Sequence, residues 1–132
     1  MSINELKEHE EVDLNYLKKL KNQIIKEKIL KKPIAVDKNT KIIIDGHTRF
    51  NSLKQLGYSK IPVFLIDYSS PEIFVRVWRN GRKITKEDVL NAGLNGKKLP
   101  PKTSKNMIKI GSNFKHISEL EKRINIPLEK LR

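Results

Sequence analysis

The sequence predicts an α/β fold, a small mixed sheet flanked by helices, and three observations within one stretch predict it. Ile42-Ile43-Ile44 is short, apolar and β-branched, as expected for a strand buried on both faces. Asp45-Gly46 breaks that run. Residues 47–56 then carry Phe50, Leu53 and Leu56 at helical spacing, with Gly57 where a helix end favours positive φ. A second strand is expected over residues 61–66, its start marked by Pro62. The order is strand, tight turn, helix, strand.

The other elements follow from the same signals. Asp13 is a good N-cap, and Leu14, Leu17, Leu20 and Ile24 trace one apolar stripe with the lysines mostly opposite. Pro33 ends that unit. Ile34-Ala35-Val36 reads as a strand, and residues 37–40 as the turn leading back to Ile42. Beyond a turn at 69–71, residues 73–78 alternate, with Ile73, Val75 and Val77 on one face and Phe74, Arg76 and Trp78 on the other. Asn80-Gly81 is a turn signal. Thr85 with Asp88 three residues later opens a helix through about Leu94, closed by Asn95-Gly96. Pro100-Pro101 stiffens the approach to a polar stretch over residues 102–106. A charged helix is expected over 117–123 and a short one from Pro127.

A chain of 132 residues is expected to form one compact domain, residues 1–132, with a real core. It has no cysteine, which excludes a disulfide framework and any Cys-based metal site. No apolar run approaches a membrane span and the first residues lack a signal-peptide core, so a soluble cytoplasmic protein is the expectation. The net charge of +13 would attract nucleic acid, acidic lipid or anionic metabolites. The lysines are nevertheless spread along the chain, densest over 18–32, and a charge-rich helix face is ordinarily only solvated. Nucleic acid is therefore the less favoured partner, and no membrane is expected.

The turn at 45–49 points to chemistry. It feeds a helix N-terminus, where unpaired N–H groups and the positive end of the helix dipole favour an anion. Gly46 would allow close approach of a phosphate. His47, Thr48 and Arg49 add a titratable ring, a hydroxyl and a guanidinium fork suited to phosphate oxygens. The plainer reading has Asp45 capping the helix and Arg49 on its solvated face. The polar residues at 102–106 are either surface or a holder for a small anionic or zwitterionic ligand. No Walker-type Gly-x-x-x-x-Gly-Lys-Ser/Thr and no Gly-x-Gly-x-x-Gly occurs.

Taken together, these pieces resemble the ParB/sulfiredoxin superfamily, whose members place a Gly-x-x-Arg phosphate turn at a helix start after a strand. Within it the chain looks most like the archaeal free L-serine kinases, which phosphorylate the amino acid itself, with ADP as donor in the best-known members. Their Asp-Gly-His-His-Arg turn is matched by Asp45, Gly46, His47, Thr48 and Arg49, and their His-Glu pair by His9-Glu10. Their tryptophan beyond an Asp-Tyr pair is matched by Trp78 after Asp67-Tyr68. Their late Pro-Lys-Thr-Thr is matched by Pro101, Lys102, Thr103 and Ser104, and their closing pattern by Ile124, Leu128, Glu129 and Leu131. Thr48 and Asn106 depart from family histidines, and the stretch between Trp78 and Pro101 is shorter than in familiar members.

The resemblance implies a ParB/sulfiredoxin-like domain that transfers a phosphoryl group from ADP or ATP to free L-serine, giving O-phospho-L-serine for cysteine supply, with Mg²⁺ as cofactor. It implies Glu10 as catalytic base, with Asp45 orienting the metal or a neighbouring donor and His47 beside it. Gly46, His47, Thr48 and Arg49 would hold the nucleotide phosphates. Trp78, Lys102, Thr103 and Ser104 would shape the amino-acid pocket, and no residue is assigned as a metal ligand. His9 and His116 are expected to be surface or structural residues. The alternative is a non-enzymatic ParB-like protein that binds nucleotide or DNA. A sulfiredoxin-like reaction needs a cysteine in the turn, which this chain lacks.

Overall fold

Residues 1–77, 83–101 and 104–132 are described by the computed structural model. Its elements begin with a 3-10 turn, Ile3–Glu5, closed by a reciprocal cap between Ser2 and Glu5. Helix α1 (Leu14–Glu27) starts at Asp13, whose carboxylate accepts from the Asn15 and Tyr16 amides, and stops at Lys28 in left-handed conformation. Leu17 and Ile24 bury the expected stripe. Leu14, expected to join it, is 75 % exposed, because the helix begins a turn before it reaches the core.

After the short β1 (Ile29–Leu30) come β2 (Ile34–Asp37), β3 (Ile43–Asp45), α2 (His47–Gln55) and β4 (Val63–Ile66), which form the predicted central unit. The β2–β3 turn is held by Asp37, whose carboxylate accepts from the Thr40 hydroxyl at 2.6 Å and amide at 3.1 Å. Strand β2 is the middle of this sheet, antiparallel to β3 and parallel to β4. Its neighbours divide between two apolar layers. Ile34, Val36 and Ile43 pack with Ile24, Phe50, Leu53 and Ile61, whereas Ala35, Ile42 and Ile44 pack with Tyr68, Ile73, Val89 and Ile117. This is the two-faced burial that the isoleucine run anticipates.

The second half contains β5 (Ile73–Val77), α3 (Lys86–Asn95), β6 (Ser104–Ile110), β7 (Asn113–His116) and β8 (Ile126–Pro127). Helix α3 opens on the Thr85–Asp88 capping box and ends at Gly96, φ 71°. Strands β5, β6 and β7 form a separate antiparallel sheet, and β8 pairs with β1. The fold is thus α/β with more than the one small sheet expected. The β6–β7 hairpin corrects the reading of residues 102–106 as a loop: Ser104 and Asn106 are polar residues pointing inward from a strand, which masks its alternation. The expected helix over 117–123 is one 3-10 turn, Ile117–Leu120, after which Glu121 leaves the helical path. The helix expected from Pro127 is a 3-10 turn, Leu128–Leu131. Trp78, the Asn80-Gly81 turn, Lys102 and Thr103 lie outside the described residues.

Candidate active site

Backbone hydrogen bonds fasten the amino-terminal segment across the sheet ends. The Ile43 amide donates to Lys7 O (2.8 Å), the Leu99 amide to His9 O (2.8 Å) and the Glu11 amide to Leu99 O (2.7 Å). This places His9 and Glu10 between β3 and the approach to β6. The His9 amide donates to His47 Nε2 at 3.1 Å, and the two imidazoles meet edge to face with centroids 4.5 Å apart. Burial pushes His9 down to about 4 and His47 well below the ordinary histidine range. Both rings are therefore neutral at physiological pH. His47, accepting at Nε2, carries its proton on Nδ1. His9 donates from Nδ1 to Ile43 O (2.6 Å), which leaves its Nε2 to accept from the Ser104 hydroxyl at 3.1 Å.

Glu10 Oε1 accepts from the Ser104 amide at 3.1 Å and lies 3.1 Å from the Ser104 hydroxyl. That single hydroxyl proton stands between two acceptors, His9 and Glu10. Across the cleft, α2 begins at Gly46, φ 102°, with no side-chain cap. Asp45 thus does not cap the helix. The first amides, those of His47, Thr48 and Arg49, have no acceptor within the helix, the arrangement that in general favours an anion. Glycine is required here by its left-handed backbone and by packing, since a Cβ would overlap Ile34 Cγ2. The crowding atom is in the core, a packing reason for glycine that the sequence did not show.

Arg49 is committed more heavily than a free phosphate fork. Its Nη1 donates to Pro33 O at 2.6 Å, and its Nη2 to Asp45 Oδ2 at 3.2 Å and Glu121 Oε1 at 2.8 Å. Asp45 is thus paired with Arg49 one helical turn on. The Glu121 side chain is fully buried, and its Oε2 meets no hydrogen-bond donor. Burial first, and then the adjacent Asp45 carboxyl, push Glu121 up to about 8, opposed by Arg49. The sequence reading missed Glu121 because it appeared as one more charge on a solvated helix.

These groups open on one cleft of about 610 Å³, lined by Glu10, Asp45, Gly46, His47, Thr48, Arg49, Ser104 and Glu121, with Tyr16 and Leu20 from α1 on another wall. The His47 ring is turned onto His9, where burial favours its neutral form. The His47 backbone amide is the first of α2. Asn106 is a buried brace, accepting from Tyr68 Oη (2.6 Å) and donating to Ile44 O (3.2 Å). His9 is buried rather than on the surface, held by Ile43 O and the Ser104 hydroxyl. His116 lines the cleft and accepts from the Ser118 amide at 3.1 Å.

No protein-family model matches the chain. A free serine kinase solved in complex with AMP superposes with a TM-score of 0.83 over 100% of this chain and 92% of that one, at 16% identity. The fold is that of the free serine kinases. In sequence, the chain is similar to a ParB-like protein of Sulfolobus acidocaldarius, 38% identical over 59% of this chain and 39% of that protein. It is also similar to an ATP-dependent L-serine kinase of Staphylothermus marinus, 32% identical over 59% of this chain and 32% of that protein. The chain thus spans 32% to 39% of the length of these curated relatives.

Proposed function

We propose that the chain is a free L-serine kinase, carried by the domain of residues 1–132, which moves a phosphoryl group from ADP or ATP to the serine hydroxyl. The observation that carries this reading is the opening of Glu10 and the α2 N-terminus onto one cleft. The similarity to ATP-dependent L-serine kinases and the shared fold with a kinase that binds AMP support it. O-Phospho-L-serine is the product, and cysteine supply the use to which we assign it.

In this mechanism the nucleotide's phosphates rest on the His47, Thr48 and Arg49 amides, with the Thr48 hydroxyl beside them. Glu10 accepts the proton of the substrate hydroxyl as its oxygen bonds to phosphorus and the bond to the leaving nucleotide breaks. Glu10 is suited to this because Ser104 already presents a hydroxyl to the same carboxylate oxygen. His9 and His47 position the base and contribute no charge. Among the described residues no group of three His, Asp or Glu side chains could cage a metal. Mg²⁺ brought with the nucleotide as part of the substrate would neutralise phosphate charge. Trp78, Lys102 and Thr103 complete the proposed amino-acid pocket with Ser104.

The test is incubation of pure protein with L-serine, Mg²⁺ and either ADP or ATP, with phosphoserine measured by mass spectrometry. Formation with one donor is expected; none with either overturns the kinase reading. The similarity to a ParB-like protein and the charge of +13 favour a second reading, a nucleotide- or DNA-binding module. That reading predicts a duplex-DNA gel shift that weakens steeply with salt.

A further inference from the structure

The Asp45–Arg49–Glu121 cluster sits against the first turn of α2, and the proposed mechanism leaves its third member unused. Glu121 comes from the carboxyl-terminal part of the chain, far in sequence from the turn that it completes. Its side chain is fully buried, Oε1 accepts from Arg49 at 2.8 Å, and Oε2 has no donor within reach. A buried carboxylate oxygen without a donor is costly. Here the remedy is adjacent, because the Asp45 carboxyl lies within hydrogen-bonding reach. A proton on Glu121 Oε2 would be donated to Asp45, so that both carboxyl groups and the guanidinium are satisfied together.

We propose that Glu121 is a positioning residue for the nucleotide's phosphates: in its acid form it locks Asp45 and Arg49 into one charge-balanced unit beside the helix start, and as a carboxylate it would turn that unit negative. This inference rests on the kinase reading for the identity of its ligand. With Glu121 protonated, the charges of Asp45 and Arg49 cancel, and the start of α2 receives an anion without opposition. With Glu121 ionised, one negative charge is left against the amides that must hold phosphate oxygens.

Several charged or titratable groups share the cleft wall: Asp45 at the end of β3, Arg49 on α2, Lys31 and Lys32 before β2, Glu10 in the first segment and His116 at the end of β7. Among them, Asp45 and Arg49 are the charges that act on Glu121. Burial raises its proton affinity, so the change from acid to carboxylate falls on the alkaline side of neutrality.

The experiment measures ADP affinity by calorimetry at pH 7 and pH 9 for the parent and for Glu121→Gln, whose amide can donate to Asp45 and accept from Arg49 at either pH. The parent should bind ADP several-fold more weakly at pH 9, the loss approaching about tenfold if only the acid form of Glu121 admits the phosphates. Glu121→Gln should bind it equally at both, within about twofold of the parent's affinity at pH 7. Adenosine, which lacks phosphates, should be insensitive to pH with both proteins. A flat parent profile overturns the proposal without recourse to the variant. Superimposable falling profiles overturn it too, as does a parallel loss of adenosine, which would mean that the cleft itself is loosening. Absence of ADP binding to either protein at pH 7 overturns the kinase reading along with this one; ADP binding without the predicted difference overturns this one alone.

Discussion

Ser104 offers one proton to two acceptors, and the catalytic proposal turns on that arrangement. A substrate hydroxyl approaching Glu10 would compete with a hydrogen bond the carboxylate already holds. Replacing Glu10 by Gln keeps the shape and removes the base. Phosphoserine formation should fall by about 10²-fold or more with ADP affinity nearly unchanged, seen as a loss in kcat rather than KM. The buried histidines give a second residue-scale prediction. His9 titrates near 6.5 when unfolded and near 4 when folded, so its neutral form favours the native state. That contribution is fully present above about pH 6.5 and is lost as pH falls through 4, in total about 3 kcal/mol. Glu121 has the opposite sign, its contribution being lost as pH rises toward 8. The urea midpoint of Glu121→Gln should therefore fall between pH 6.5 and pH 4, with no opposing gain from residue 121. A constant midpoint would contradict neutral burial of His9. Glu10, which the cleft takes in, was singled out from its place beside His9 in an order of motifs. Glu121 was not, because burial of a lone glutamate leaves no periodic mark.

At the scale of elements, local signals held wherever the partner was close in sequence. Asp13, the Thr85–Asp88 pair and the isoleucine run each state their structure within a few residues, and α1, α3 and β3 follow. The β6–β7 hairpin was hidden because its inward positions serve distant groups. Ser104 serves Glu10 and His9, and Asn106 serves Tyr68 and Ile44. Polar residues on an inner face read as loop until the far partners are known. The turn between β3 and α2 carries the prediction for this scale. Gly46→Ala introduces left-handed strain and a methyl group that overlaps Ile34, together worth about 3 kcal/mol or more. Its urea midpoint should drop by a corresponding amount. A midpoint equal to the parent's would show that Ile34 yields and that the tight fit at the helix start is unnecessary.

At the scale of the whole molecule, two apolar layers meet along β2 and β3, and the cleft opens where β3, the first segment and β6 converge. The net charge of +13 was plain in composition, but composition does not say where anions are received. The proposed mechanism assigns that capacity to the uncapped amides at the start of α2 rather than to the lysines of α1. Behind those amides, the far end of α2 runs into residues 57–61, which are gripped from both extremities of the chain. Ile61 N donates to Met1 O at 2.9 Å, while Ser59 N and Lys60 N both donate to Leu131 O at 3.0 Å. Met1 and Leu131 are thus near neighbours in space. A short glycine-serine bridge between them, with new ends opened at the exposed Gly111-Ser112 bend, should yield a circular permutant that keeps its shape.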